Sequence, residues 1–217
     1  MIVMNKQRIV SIAKVAVFIA ALTPFLGYLA ALYADALGAN PIETIQRASG
    51  DWAMRLLWAT LAITPLRKLT GEPALLKFRR MLGLYAFFYA SVHLSIYLWL
   101  DQFFSWPDIV ADIIERPFIT VGFFSFLILV PLAATSTRAM MRRLKRRWGQ
   151  LHKSVYGAAI AAELHFWWMK ASKSDVSEPL IYLLILALLL GFRFFPWLSG
   201  KLKRSGLTSG AMDMVRP

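Results

Sequence analysis

Cysteine is absent from this 217-residue chain. That excludes disulfides, thiolate-held iron–sulfur clusters and the C-x-x-C-H thioether attachment of c-type haem. Acidic residues are scarce, 12 against 25 lysines and arginines. The chain also lacks G-x-G-x-x-G, P-loop, H-E-x-x-H, G-x-S-x-G and zinc-spaced patterns, so soluble-type nucleotide binding and hydrolysis have no support. Polar sequence for a large extramembrane catalytic domain is missing too. Hydrophobic residues make up 58% of the chain and mean hydropathy is +0.54, whereas about 45–50% apolar is usual for soluble domains.

What is present is a series of apolar stretches near residues 10–33, 52–66, 81–100, 117–134, 149–169 and 179–197, separated by short polar segments. A crossing takes about 20 apolar residues, so the pattern predicts an all-α integral membrane bundle of about six transmembrane helices. The second stretch is short for a span, because it contains Arg55 and closes at Pro65. Lys6, Arg8 and Lys14 precede an apolar run to Tyr33 that outlasts a signal-peptide core, and the segment reads as an uncleaved first span.

The net charge of +13 follows from the positive-inside bias, so no nucleic acid is expected as a partner. Arg67, Lys68, Lys77, Arg79 and Arg80, then Arg138 to Arg147, and finally Lys201, Lys203 and Arg204 fall on the side of the N-terminal Lys6 and Arg8. Asp35, Glu43, Asp51, Asp101, Asp108, Asp112, Glu115, Asp175 and Glu178 fall on the other. Both termini are therefore expected in the cytoplasm. Trp52, Trp99, Trp106, Trp148, Trp167, Trp168 and Trp197 lie near span ends, as headgroup anchors do. No internal repeat or linker marks a second domain, so residues 1–198 form one membrane domain and 199–217 a short cytoplasmic tail.

All three histidines, His93, His152 and His165, fall inside predicted spans, where ionisable residues usually face a bundle interior. At about 1.5 Å per residue, His93 lies roughly 20 Å beyond Arg80 and His165 roughly 27 Å beyond Arg147, both in the outer half of the bilayer. From parallel helices they can supply both axial positions of one low-spin haem. His152 lies about 20 Å below His165 and marks a second, inner site. An unbroken ideal helix would set His152 and His165 about 140° apart around its axis, and either a bend near Gly157 or approach from two sides would accommodate that. Hydrogen bonding between helices is the alternative use of each imidazole. Arg55 can meet a propionate, Glu163 or the headgroups. Arg79, Arg80 and Arg193 can meet inner propionates or a phosphate-bearing cofactor.

The segments LTPFLGY from Leu22, LGANPIETIQRASGDWA from Leu37, ITPLRKL from Ile63, RRMLGLYAFFYASVHLSIYL from Arg79, RPFITVGF from Arg116, TSTRAM from Thr135, RRWGQLHKSVYGAA from Arg146 and EPLIY from Glu178 together resemble the MsrQ family. These are haem-binding membrane subunits of a bacterial periplasmic methionine sulfoxide reductase system, within the wider ferric-reductase-like transmembrane group. The resemblance implies an electron-transfer subunit in the bacterial inner membrane that binds b-type haem, one or two per chain, and FMN. It also implies a quinone or cytosolic flavin reductase as donor and a periplasmic molybdopterin catalytic subunit as partner in a heterodimer. By position, His93, His152 and His165 match the family's haem histidines, with His93 and His165 as the iron pair and His152 at a second, inner iron. The wider group often has two histidines on each of two helices; here Arg80 stands thirteen residues before His93, leaving the inner site one histidine short. A stand-alone ferric or oxygen reductase, and a non-redox transporter or assembly subunit, are the competing readings.

Overall fold

The computed structural model describes the backbone of residues 6–171 and 176–204 and the side chains through Arg193. The fold is an all-α membrane bundle, with no strand among the described residues. Its elements are α1 (Lys6–Tyr33), α2 (Pro41–Thr70), α3 (Leu76–Ile96), α4 (Trp106–Glu115), α5 (Pro117–Ala134), α6 (Arg138–Leu144), α7 (Arg146–Leu151), α8 (Val155–Ala171) and α9 (Ser177–Arg204). Among the described residues three segments, Lys6–Tyr33, Pro73–Asp101 and Pro117–Ala134, are long and apolar enough to cross a membrane. The tail expected from residue 199 falls partly in α9, and residues 205–217 lie outside the described residues.

Caps rather than hydropathy set the length of α2. Asn40 Oδ1 accepts the Glu43 N–H at 3.1 Å, Pro41 occupies the first turn, and the N–H of left-handed Gly71 closes on the Arg67 carbonyl. These are the start and stop signals of a helix, and they carry it through Pro65 for 30 residues. Arg67 and Lys68 in the last turn complement the helix dipole. Two further departures from the apolar-run pattern concern the loops. The connection after α3 contains a π-helical turn and the short helix α4. The fifth stretch is broken by a 3₁₀ turn at His152–Ser154 that precedes α8, and in the basic segment before it Lys145 (φ 47°) separates α6 from α7.

Two helix pairs, α2 with α3 and α5 with α8, make the most extensive contacts. Small residues allow the close approach, since Ala86, Ala158 and Ala159 are buried and bilayer helices associate through packing rather than through the hydrophobic effect. Ser125 Oγ donates to the Ala158 carbonyl at 2.8 Å, and Trp58 Nε1 donates to the Tyr182 carbonyl of α9 at 3.1 Å.

Helix α1 is peripheral, with Ala21 as its buried residue, and polar ties hold it. The Tyr89 hydroxyl accepts from the Phe25 N–H at 3.1 Å and donates to the Ala21 carbonyl at 2.8 Å, a pair that an unbroken helix joins directly. It therefore enters the helical ladder beside Pro24, where the helix has lost a donor. Tyr85 donates to the Phe18 carbonyl at 3.0 Å. At the start of α1, Lys6 pairs at 3.0 Å with Glu72, which lies outside the spans, and the Ala74 N–H together with Lys6 holds the Glu72 carboxyl below the usual carboxylate range.

Tyr89→Phe is expected to destabilise the protein by about 1–2 kcal/mol, the worth of two buried hydrogen bonds in a membrane bundle, and Tyr85→Phe by about half of that. Unfolding midpoints in mixed micelles measure both, and an unchanged midpoint for Tyr89→Phe would show that the hydroxyl does not anchor α1.

Candidate functional site

The structure brings His93 and His165 together. Their ring centroids are 6.2 Å apart and the planes are nearly perpendicular at 79°. Each Nδ1 is bound to a main-chain carbonyl of the neighbouring helix, His93 to Gln46 at 2.9 Å and His165 to Phe118 at 2.7 Å. A carbonyl accepts only, so each Nδ1 carries the proton and each Nε2 presents its lone pair. This is the arrangement in which an imidazole serves as a metal ligand with its second nitrogen fixed.

Two glycines make room for the rings. A Cβ at Gly50 would lie 3.1 Å from His93 Nδ1, and a Cβ at Gly122 would lie 2.7 Å from His165 Nδ1. Each glycine stands one turn beyond the carbonyl that accepts the histidine proton, so that one stretch of bare backbone supplies both acceptor and seat. Ser49 Oγ donates to the Gln46 carbonyl at 2.8 Å and stands 3.5 Å from His93 Nδ1. The Gln46 carboxamide covers the open nitrogen of His93, with Nε2 to Nε2 at 3.5 Å and its own Oε1 buried without a partner.

The two halves repeat. Gln46 and Gly50 precede His93 by the same intervals at which Phe118 and Gly122 precede His165, and corresponding residues are 72 positions apart. The sequence shows no such repeat because what recurs is a carbonyl, a missing side chain and one imidazole. The shared glycine-to-histidine interval was its sole trace. At the same offset His152 corresponds to Arg80.

His152 occupies a separate place. Because it sits in the 3₁₀ turn before α8, the 140° expected from one continuous helix does not arise, and the break falls at His152–Ser154 rather than at Gly157. Its ring stacks on Trp148 with centroids 3.9 Å apart, Nδ1 bonds the Trp148 carbonyl at 3.1 Å, and Nε2 is buried without a partner. Arg79 bonds the Tyr156 hydroxyl and lies within electrostatic reach of His152, and Arg193 lies over the Tyr156 ring at 4.9 Å. Trp148 also donates to the Thr135 carbonyl at 3.0 Å, a structural tie beyond the expected anchoring.

Arg55 pairs with the Tyr182 hydroxyl at 3.0 Å and with Asp51 at 3.7 Å, not with Glu163. Glu163 is 3% exposed and neither of its oxygens has a partner. No cluster of three or more His, Cys, Asp or Glu side chains able to hold a bare metal ion occurs among the described residues.

Residues 49–162 match the family described as ferric reductase like transmembrane component, a segment that includes Gly50, His93, Gly122 and His152. Full-length comparison finds proteins named "Protein-methionine-sulfoxide reductase heme-binding subunit MsrQ". That of Xanthomonas campestris pv. campestris strain 8004 is 59% identical, covering 77% of this chain and 76% of the relative. That of Xanthomonas axonopodis pv. citri is 56% identical with the same coverage. That of Bordetella pertussis is 48% identical, covering 88% and 92%. No solved structure matches.

Gly122→Ala is expected to destabilise the protein by about 1–3 kcal/mol, the usual cost of forcing an extra group into a packed interior. Gly83→Ala, whose Cβ would meet Thr60 at an ordinary 3.5 Å, is the control and should be neutral or mildly stabilising. Thermal unfolding in detergent compares the two, and equal stabilities would remove the tight seat from the description of the site.

Proposed function

The chain belongs to the MsrQ branch of the ferric-reductase-like transmembrane family, and from that membership we propose a membrane electron-transfer subunit of a methionine sulfoxide reductase system that binds b-type haem between His93 and His165. The observation that carries the reading is the 6.2 Å separation of the two rings. Two imidazoles holding one metal from opposite sides, each nitrogen about 2 Å from it, have centroids about 6 Å apart. The Nδ1 bonds to Gln46 and Phe118 supply the matching fixed tautomer, and the seats at Gly50 and Gly122 hold the rings against rotation. The Gln46 carboxamide over His93 Nε2 yields its place on ligation. Haem bound there supplies a one-electron couple inside the bilayer. The chain contributes two neutral donors, a fixed ring geometry and an apolar surround that keeps water from the site.

The inner position takes a second haem on His152 in this proposal. Its buried, unpartnered Nε2 fits one axial bond, and Arg79 and Arg193 suit the propionates. FMN enters through the family resemblance alone, and the described residues form no evident flavin cradle. The bacterial inner membrane, a quinone or cytosolic flavin reductase as donor, and a periplasmic molybdopterin catalytic subunit in a heterodimer complete the reading. Substrate chemistry then takes place on the partner.

Purified protein is expected to show the split reduced bands of low-spin b haem. His93→Ala and His165→Ala should each abolish the outer haem, whereas His152→Ala should lower cofactor content and leave the outer signal in place. Reduced-minus-oxidised spectra with haem and flavin quantification measure this. Full outer occupancy in either His93→Ala or His165→Ala overturns the ligand pair, and a colourless preparation under adequate haem supply overturns the electron-transfer reading.

A further inference from the structure

A cavity of about 530 Å³ along the seam between α1 and α3 lies toward the basic end of the bundle, and none of the three histidines lines it. Lys14 on α1 and Lys77 and Arg80 on α3 line one end, and Phe18, Leu22 and Phe88 line the length beyond them. The volume is in the range of ligand sites, about 300–1,000 Å³. The groove follows α3 from Lys77 to Phe88, roughly 16 Å at 1.5 Å per residue, about the depth of one leaflet of a 30 Å hydrocarbon core.

Charge selects the occupant. Lys14 is half-buried two turns into α1, and among the described residues no carboxylate forms a close ion pair with Lys14, Lys77 or Arg80, Lys77 lying only within electrostatic reach of Glu72. Glu72, the carboxylate at this end, is engaged by Lys6 and the Ala74 N–H. Arg80 corresponds by the 72-residue repeat to His152, yet it lines the α1 seam, while Arg79 beside it bonds the Tyr156 hydroxyl. Three cations at the end of a leaflet-deep apolar groove call for a monoanionic headgroup carrying an acyl chain. Lysine and arginine stems that cover apolar surface while their heads gather at one level suit the same ligand.

We propose that this groove is a specific site for one anionic phospholipid, with its phosphate among Lys14, Lys77 and Arg80 and an acyl chain along Phe18, Leu22 and Phe88. The lipid completes the packing of α1, which meets α3 through the Tyr85 and Tyr89 hydroxyls and through the ring pairs Phe18–Tyr85 and Phe25–Phe88. The site is independent of the cofactors and of the assignment of the histidines.

Native mass spectrometry of the full chain in mild detergent tests the site, titrating phosphatidylglycerol and phosphatidylcholine of identical acyl chains. The wild type should retain one phosphatidylglycerol at least tenfold more tightly than phosphatidylcholine. Lys14→Gln with Arg80→Gln should lose tenfold or more of that preference, and each single variant about fivefold, in line with the usual effect of one cation on an anionic headgroup. The single variants keep the test intact if the double variant does not fold. Arg142→Gln with Arg143→Gln removes the same charge from α6 and should leave the preference unchanged. Equal affinity for the two lipids, full preference in the Lys14 and Arg80 variants, or an equal loss in the α6 variant would each overturn the proposal. So would displacement of the lipid by millimolar glycerol 3-phosphate, which would make the groove a site for a soluble phosphate ester.

Discussion

An imidazole inside an apolar bundle must place its N–H on an acceptor, because a buried polar hydrogen without one costs several kcal/mol. Here both outer imidazoles meet that demand on a helix carbonyl of the neighbouring helix, and the glycine one turn further on lets the ring come close enough to reach it. The remaining nitrogens are left without protons inside the bundle. Most of what is distinctive about the site follows: the ring separation, the fixed tautomers and the close approach of α2 to α3 and of α5 to α8.

The arrangement is made twice, once in each helix pair, and the two copies are alike at the outer level and unlike at the inner one. At the outer level each pair supplies a carbonyl, a glycine and a histidine. At the inner level one pair has His152 and the other has arginines at the corresponding turn. The 3₁₀ turn at His152–Ser154, with about three residues per turn instead of 3.6, also changes the rotational register between His152 and α8. The inner histidine thus stacks on Trp148 with arginines for company, and a symmetric pair of imidazoles is confined to the outer level. Any cofactor held at the inner level meets positive charge there, and any held at the outer level meets two neutral donors.

Helix α1 stands outside this two-fold scheme. It is attached by tyrosine hydroxyls from α3, one of them entering its backbone ladder beside Pro24, and by the Lys6–Glu72 pair at its start. Ring contacts of Phe18 with Tyr85 and of Phe25 with Phe88 add to these ties, and the groove left beside them at the basic end of the seam has space for lipid, to which its cations give a chemical preference.

Fold class and the candidate histidines were legible in the sequence for separate physical reasons. A bilayer demands long apolar helices, and six such stretches can be counted without reference to their neighbours. Rise per residue along a helix is nearly constant, so the depths of His93 and His165 could be matched before any packing was known. Hydropathy alone cut α2 short at Pro65, and the caps at Asn40 and Gly71 that extend it came from the structure. By contrast, Gly50, Gly122, Gln46 and Phe118 carried no signal of their own: a carbonyl is present in every residue, and a missing Cβ matters only where another helix brings a ring against it. The turn at His152, the direction of Arg55 toward Tyr182 and the division of Arg79 and Arg80 between two sites likewise depend on which helices are neighbours. Depth is a property of one helix, and the sequence determines it; facing is a property of pairs of helices, which only the tertiary structure decides.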